Sequence, residues 1–174
     1  MAGLILPYKG IMPRIHPSVF IADGAVVIGD VEIGKDSAVW FNCVIRGDVH
    51  EIRIGERTNI QDGTIIHVTR NRFGTYIGNG ITIGHNAILH ACTLEDECFI
   101  GMGSTILDGV VVERRGMLAA GAVLTPGKRI ATGELWGGNP ARKMRDLTEE
   151  DMAFFPVSAE NYVELARDYL DAQP

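Results

Sequence analysis

Three of the five histidines, His67, His85 and His90, fall within one short stretch of the sequence and are the first candidates for chemistry. Imidazole is the commonest side-chain ligand of metals in proteins, and three imidazoles on one zinc leave a coordination position open for water. His16 and His50 are interpreted as surface residues. The elements that hold the other three decide whether they can share an ion.

Those elements follow from a repeat in which an aliphatic residue recurs at every sixth position. The series shifts by three residues before Ile54 and by five before Ile77, and one residue is expected to be lost around 95–98. This period fits neither an α-helix nor a simple strand, and it predicts a parallel β-helix with three hexads, about 18 residues, per triangular turn. The first unbroken run comprises Ile15, Ile21, Val27, Ile33, Val39 and Ile45.

The repeat gives the histidine spacing a geometric meaning. His67 and His90 both take the second position of a third-corner hexad in consecutive turns, so they are expected to stack about 4.8 Å apart. Two nitrogen ligands of a tetrahedral zinc lie roughly 3.3 Å apart, so the stacked pair can share an ion. His85 lies on another edge, and a single chain could not easily bring it to the same ion, whereas a neighbouring chain could. The spacing therefore predicts a threefold ring with a metal site between each pair of subunits.

Polar residues surround these positions. Arg46 continues the column of His67 and His90 one turn below, and Asp62 lies one turn beneath His85. The segment Arg46–Asp48 precedes the first insertion of the repeat. Insertions in a regular solenoid tend to carry function, so this region is a candidate for part of the site.

Composition excludes several classes of function. The chain has 22 acidic and 16 basic side chains, a net charge of −6, and no basic run, so no nucleic-acid surface is expected. No apolar run approaches the roughly 20 residues of a membrane span. The N-terminal residues lack the apolar core of a secretory signal, so a cytoplasmic location is expected. Cys43, Cys92 and Cys98 lack paired spacing and are interpreted as packed thiols.

The repeat ends near Pro140, which divides one predicted domain into a β-helix over 1–140 and a helical extension over 141–174. Thr148 with Asp151 is one candidate helix start, and Ser158 is another. A broad apolar stripe from Ser158 to Ala172 predicts a C-terminal helix that packs along the coil or on a neighbouring subunit.

Several motifs together resemble the gamma-class carbonic anhydrase family, in particular a shorter bacterial branch without a long acidic loop. The resemblance covers nearly the whole chain. It implies an all-β solenoid, a left-handed parallel β-helix of hexapeptide repeats with a C-terminal α-helix, although the general rule for parallel crossovers would give a right-handed coil. The motifs are Arg46-Gly47-Asp48, Asn59-Ile60-Gln61-Asp62-Gly63, His67, Gly84-His85-Asn86-Ala87 and His90.

The resemblance also implies an activity. His67 and His90 of one subunit and His85 of the next would hold zinc, or iron or cobalt, in a homotrimer. A metal-bound hydroxide would then hydrate carbon dioxide reversibly to bicarbonate. Gln61 would orient that hydroxide. The remaining implied residues are Arg46, Asp48 and Asp62, as a polar network at the interface, and Tyr162 and Asn161, as C-terminal residues that reach toward the site.

One departure from the family bears on turnover. Val49 and Arg70 stand where the best-studied type carries acidic residues that relay protons out of the site. Regeneration of the hydroxide requires a proton acceptor, so turnover is expected to be slow or to depend on buffer or on Glu51.

Two other functions stay open at this point. Residues 136–142 also look like the exit of acyl-CoA-dependent hexapeptide enzymes, so an acyltransferase is one alternative. A catalytically weak metal-binding trimer, acting as a scaffold or small-molecule binder, is the other. The fold alone cannot decide among them, whereas metal content separates acyl transfer from the rest.

Overall fold

A computed structural model describes residues 3–172, so residues 1, 2, 173 and 174, at the outer ends of the two predicted parts, lie outside the described residues. The chain forms a left-handed β-helix of about seven turns followed by one α-helix, as predicted. Most strands are two or three residues long. The elements are β1 (Leu4–Leu6), β2 (Arg14–Ile15), β3 (Phe20–Ile21), β4 (Val26–Ile33), β5 (Ala38–Val39), β6 (Val44–Ile54), β7 (Asn59–Ile60), β8 (Ile65–His67), β9 (Thr75–Ile77), β10 (Thr82–Ile83), β11 (Ile88–His90), β12 (Thr93–Leu94), β13 (Phe99–Ile100), β14 (Thr105–Ile106), β15 (Val111–Val112), β16 (Met117–Leu118), β17 (Val123–Leu124), β18 (Arg129–Ile130), β19 (Glu134–Gly138), β20 (Ala141–Asp146) and α1 (Glu149–Asp171).

The strands form two sheets around one core. The long strands β4 and β6 run across a corner of the coil, so two faces join in a 12-stranded sheet, and the third face is an 8-stranded sheet. Pairing within the coil is parallel, and the antiparallel pair β19–β20 ends it. The sequence analysis did not predict β20.

The aliphatic series lies inside the coil. Ile60, Ile83 and Ile100 stack in register on consecutive turns and are fully buried. The lost residue falls elsewhere than expected: Leu94 pairs with Ile77 below and Val112 above, so the shortening precedes Leu94 instead of lying at 95–98. The three cysteines are buried and free, and burial raises the pKa of each thiol to about 12.

The C-terminal helix starts at the first of the two predicted positions. Thr148 is the N-cap and forms a capping box with Asp151. The prediction of a start at Ser158 is wrong, because Ser158 lies inside α1, buried, with its hydroxyl 2.9 Å from that of Thr82. Leu165 is 41% exposed and does not belong to the packed face. Within residues 3–172, no helix has the length and apolar character needed to cross a membrane.

The helix covers part of the coil's outer surface. It packs on β3, β5, β7 and β10 of the 8-stranded sheet. Trp40 and Gln61 take second positions of hexads and point away from the core, yet they are only 4% and 5% exposed. Outward-pointing side chains on this face are therefore buried between coil and helix, which the hexad pattern did not predict.

We predict that Leu118→Ala lowers the free energy of unfolding by about 2–5 kcal/mol, because the fully buried side chain leaves a cavity between neighbouring turns. Leu165→Ala is the matched control and should change it by less than about 1 kcal/mol, since that side chain is 41% exposed. Urea denaturation followed by circular dichroism measures both. Equal losses would contradict the assignment of the aliphatic series to the core.

Candidate metal centre

The stacked histidines lie side by side on the 12-stranded sheet, as predicted. Strands β8 and β11 pair in parallel with His67 opposite His90. The Nδ1 atom of His67 is 3.2 Å from the Nε2 atom of His90, close to the spacing of about 3.3 Å between two nitrogen ligands of one zinc ion. Arg46, in β6, lies one turn below and pairs with Asp48.

Carboxylates hold the other nitrogen of each ring. The His67 Nε2 atom lies 3.0 Å from Asp48 Oδ1, and His90 Nδ1 lies 2.6 Å from Asp108 Oδ1. Burial acts to raise the pKa of both carboxyl groups, but hydrogen bonds outweigh it and leave each pKa below its usual value. These bonds come from His67 and Arg46 to Asp48, and from Thr69 and His90 to Asp108.

The two ring nitrogens that do not contact a carboxylate face each other. In the tautomer in which the outer nitrogen of each ring donates to its carboxylate, the inner nitrogens carry no proton. In that tautomer, Nδ1 of His67 and Nε2 of His90 face each other as acceptors across 3.2 Å. Two facing acceptors repel unless a proton or a cation lies between them. The pair is thus suited to binding a cation.

Asp108 is a site residue that the sequence analysis missed. Ile106 pairs with Leu89 one turn below, so Leu107 lies directly above His90. Asp108 is the next residue. The available signal was an acidic residue at that offset. That residue lies in a turn without a histidine, so its contact with His90 appears only when the column is followed one turn further.

The third candidate ligand lies at another corner of the coil, in the turn between β10 and β11. His85 Nδ1 is 2.7 Å from Asp62 Oδ2, one turn beneath it as predicted. Gln61 precedes Asp62, and its Nε2 atom donates to Asn59 Oδ1 at 3.1 Å. The turn also needs Gly63, whose φ is +72° and where a Cβ atom would lie 2.3 Å from the side chain of Asn86.

The two C-terminal candidates differ in their surroundings. Tyr162 packs edge-on against Trp40, with ring centroids 5.6 Å apart, and burial followed by the charge of Asp62 raises the pKa of its phenol. It therefore belongs to the group around Asp62. Asn161 is exposed.

The predicted residues thus form two groups. One contains Arg46, Asp48, His67 and His90, and the other contains Gln61, Asp62, His85 and Tyr162. Among residues 3–172, no three His, Cys, Asp or Glu side chains gather closely enough to hold a metal ion. A single chain supplies two facing nitrogens at one edge and one carboxylate-held histidine at another.

Comparisons with known proteins give the family. The model described as "Bacterial transferase hexapeptide (six repeats)" matches residues 12–47. Gamma carbonic anhydrase 1, mitochondrial, of Arabidopsis thaliana is 52% identical over 160 residues, which are 89% of this chain and 58% of that protein. A protein named carbonic anhydrase from Geobacillus kaustophilus (strain HTA426) is 43% identical over 166 residues, which are 95% of this chain and 91% of that protein.

The chain belongs to the gamma-class carbonic anhydrase family. It spans less than two thirds of the length of the plant relative. A crystal structure titled as a hexapeptide transferase family protein from Anaplasma phagocytophilum has a TM-score of 0.92 and 49% identity to it, covering 95% of this chain and 98% of that one. The gamma-class fold therefore carries proteins named after two different reactions.

We predict that Tyr162 titrates above the ordinary tyrosine pKa of about 10, and that Asp62→Asn lowers its pKa partway, because one of the two causes is removed while burial remains. Tyr76 is the internal control: its hydroxyl donates to Glu51 at 2.8 Å, so its raised pKa should not change. A pH titration of ring signals from 13C-tyrosine protein, assigned with Tyr162→Phe, measures both. An unchanged Tyr162 pKa in Asp62→Asn would contradict this electrostatic account.

Proposed function

We propose that this protein is a metal-dependent carbonic anhydrase that hydrates carbon dioxide reversibly to bicarbonate at sites shared between the subunits of a homotrimer. The observation that carries the proposal is that His67, His85 and His90 each have one ring nitrogen held by a carboxylate, from Asp48, Asp62 and Asp108 respectively. Such histidine–carboxylate pairs are typical of metal ligands, whose tautomer and basicity the carboxylate sets.

The donor set fits zinc. Three neutral imidazoles are a common ligand set of catalytic zinc, and iron or cobalt accepts the same donors. When bound, such an ion acts as a Lewis acid that makes water acidic near neutral pH. In this proposal His67 and His90 come from one subunit and His85 from the next.

The surface beside the histidines supports a neighbouring chain there. Ile65 and Ile88 stack on the same sheet, two residues before His67 and His90, and are 45% and 42% exposed. Strand side chains alternate, so these isoleucines face the same way as the histidines. A second subunit on this face would bury an apolar column and bring its own His85 toward the pair.

The remaining residues of the chain orient the reactants. Gln61 is buried and donates to Asn59, so the direction of its amide is fixed. We assign to Gln61 the role of orienting the reacting water. Arg46 and Asp48 fix the His67 ring and balance charge. For Arg46, Asp48 and Asp62, a purely structural ion-pair cluster is the alternative. Tyr162 contributes a half-buried phenol near Asp62, and its part in catalysis stays a prediction.

Acyl transfer is a less suitable function for this site. It needs one histidine base beside a groove for the acyl carrier, and it gives no reason for three histidine–carboxylate pairs. A metal-binding trimer without catalysis shares the donor set and differs only in activity. A cytoplasmic location also stays a prediction.

We predict that the zinc-loaded protein hydrates carbon dioxide and that its rate rises with imidazole concentration, because Val49 and Arg70 replace the acidic relay of better-studied relatives. Stopped flow with a pH indicator measures the rate. His67→Ala should abolish the activity, and His16→Ala, which changes an exposed histidine whose ring bonds to Ser18, should keep it.

Metal-loaded protein that shows no hydration at any imidazole concentration would overturn the proposed reaction and leave a metal-binding trimer. Loss of activity in His16→Ala as well would point to an unspecific effect of histidine removal.

We predict that Asp108→Asn weakens zinc binding by about 10–100-fold, because His90 loses the carboxylate that sets its tautomer. Asp168→Asn, on the exposed side of α1, is the control and should bind zinc like the parent. Competition with a chromogenic chelator gives both affinities. Equal affinities of the parent and Asp108→Asn would argue against Asp108 as a positioning residue.

A further inference from the structure

We propose that a cavity next to the histidine pair binds a small organic anion. The cavity measures about 420 Å³, within the size range of small-molecule sites, and includes Asp48 in its lining. Three segments that depart from the hexad repeat form it: the turn at 8–11, the insertion at 47–51 and the loop at 70–71. The irregular parts of the coil thus converge on one place. The inference rests on this cavity alone and does not require the hydration reaction.

Within residues 3–172, two cations of the lining are without an acidic partner. Arg70 makes no ion pair or hydrogen bond with any other part of residues 3–172, and the Lys9 ammonium lies 5.5 Å from the centre of the Tyr8 ring. Both side chains line the cavity. Their positive charges are therefore available to an occupant.

The acidic residues of the lining pair with two arginines that lie outside it. Asp30 Oδ1 and Glu51 Oε2 lie 2.9 Å and 3.3 Å from Arg53, and Asp48 pairs with Arg46. Neither arginine lines the cavity. Asp30 and Glu51 share the single charge of Arg53. The four cations at the cavity, Lys9, Arg46, Arg53 and Arg70, therefore exceed its three carboxylates by one positive charge, although the whole chain carries −6. A negatively charged ligand complements this environment.

Both cations are carried by turns with fixed backbones. Tyr8 and Ile11 exchange two backbone hydrogen bonds of 3.0 Å around Lys9. The loop that carries Arg70 is closed by a 3.0 Å bond from the Thr69 N–H to the Phe73 carbonyl. Fixed turns reduce the conformational entropy that binding would otherwise remove.

The rest of the lining defines the body of the ligand. Tyr8, Ile11 and Val49 supply apolar surface. A fully hydrated inorganic ion would not use that surface. The combination fits a carboxylate or phosphate group attached to a small apolar body, with the anionic group at Lys9 and Arg70.

Isothermal titration calorimetry with benzoate, phenyl phosphate and the neutral benzamide tests the proposal. We expect at least one of the two anions to bind, and benzamide to bind at least about tenfold more weakly, a difference of about 1.4 kcal/mol. The better anion tells whether a carboxylate or a phosphate is preferred. Binding of neither anion, or equal binding of benzamide, would overturn the proposal.

Variants locate the site. Arg70→Gln and Lys9→Gln should each weaken binding of the better anion by about tenfold, as expected for loss of a charged partner, and Arg70→Lys should weaken it less. Arg72→Gln is the matched control, because Arg72 belongs to the same loop but lines a different cavity, and it should stay within about twofold of the parent. Equal losses in Arg70→Gln and Arg72→Gln would show unspecific attraction and refute the site.

His85→Ala separates this inference from the proposed reaction. His85 lies in the turn between β10 and β11 and outside the cavity, so this variant should lose the hydration activity and still bind the anion. Anion binding lost together with the activity would contradict an independent site. A parent protein that binds the anion without hydrating carbon dioxide would refute the proposed reaction alone.

Discussion

The fixed spacing between turns of the coil is the constraint on which the whole molecule depends. Parallel strands lie about 4.8 Å apart, so residues one turn apart become neighbours whatever their distance in the sequence. His67 and His90 are 23 positions apart and meet with nitrogens 3.2 Å from each other, and Asp62 and His85 meet in the same way. The same constraint keeps the edges apart, so His85 and the stacked pair do not meet within one chain.

Core and site are largely independent in this architecture. Inward positions carry aliphatic or small residues that fix the register, whereas the histidines and their carboxylates lie on outward positions that the core does not constrain. The outer surface therefore decides the chemistry, which explains how related coils carry names of different reactions. In this chain the outer surface is specialised by histidine–carboxylate pairs and by insertions of the repeat.

Sequence alone predicted much of this. The period of six predicted the coil, and counting corners predicted the stack of His67 on His90 and of His85 on Asp62. The hand of the coil came from a family resemblance, because spacing is the same in either hand.

Other features depend on contacts that the repeat does not encode. The position of α1 on the 8-stranded sheet buries Trp40 and Gln61 and makes Ser158 an interior residue of the helix. Asp108 was missed since its role appears only when the turn above His90 is followed, and the antiparallel β20 has no hexad signal.

Mixed trimers test the sharing of the metal site most directly. Co-expressed His67→Ala and His85→Ala subunits with different affinity tags give trimers that contain both, and zinc per trimer is measured by mass spectrometry. The His85→Ala subunit keeps His67 and His90, and the His67→Ala subunit keeps His85. Every closed ring that contains both kinds of subunit has one interface at which these intact residues meet. The account predicts about three zinc ions in the parent, none in either pure variant and about one in each mixed trimer. Mixed trimers without zinc, or pure variants that keep it, would contradict a site built from two neighbouring chains.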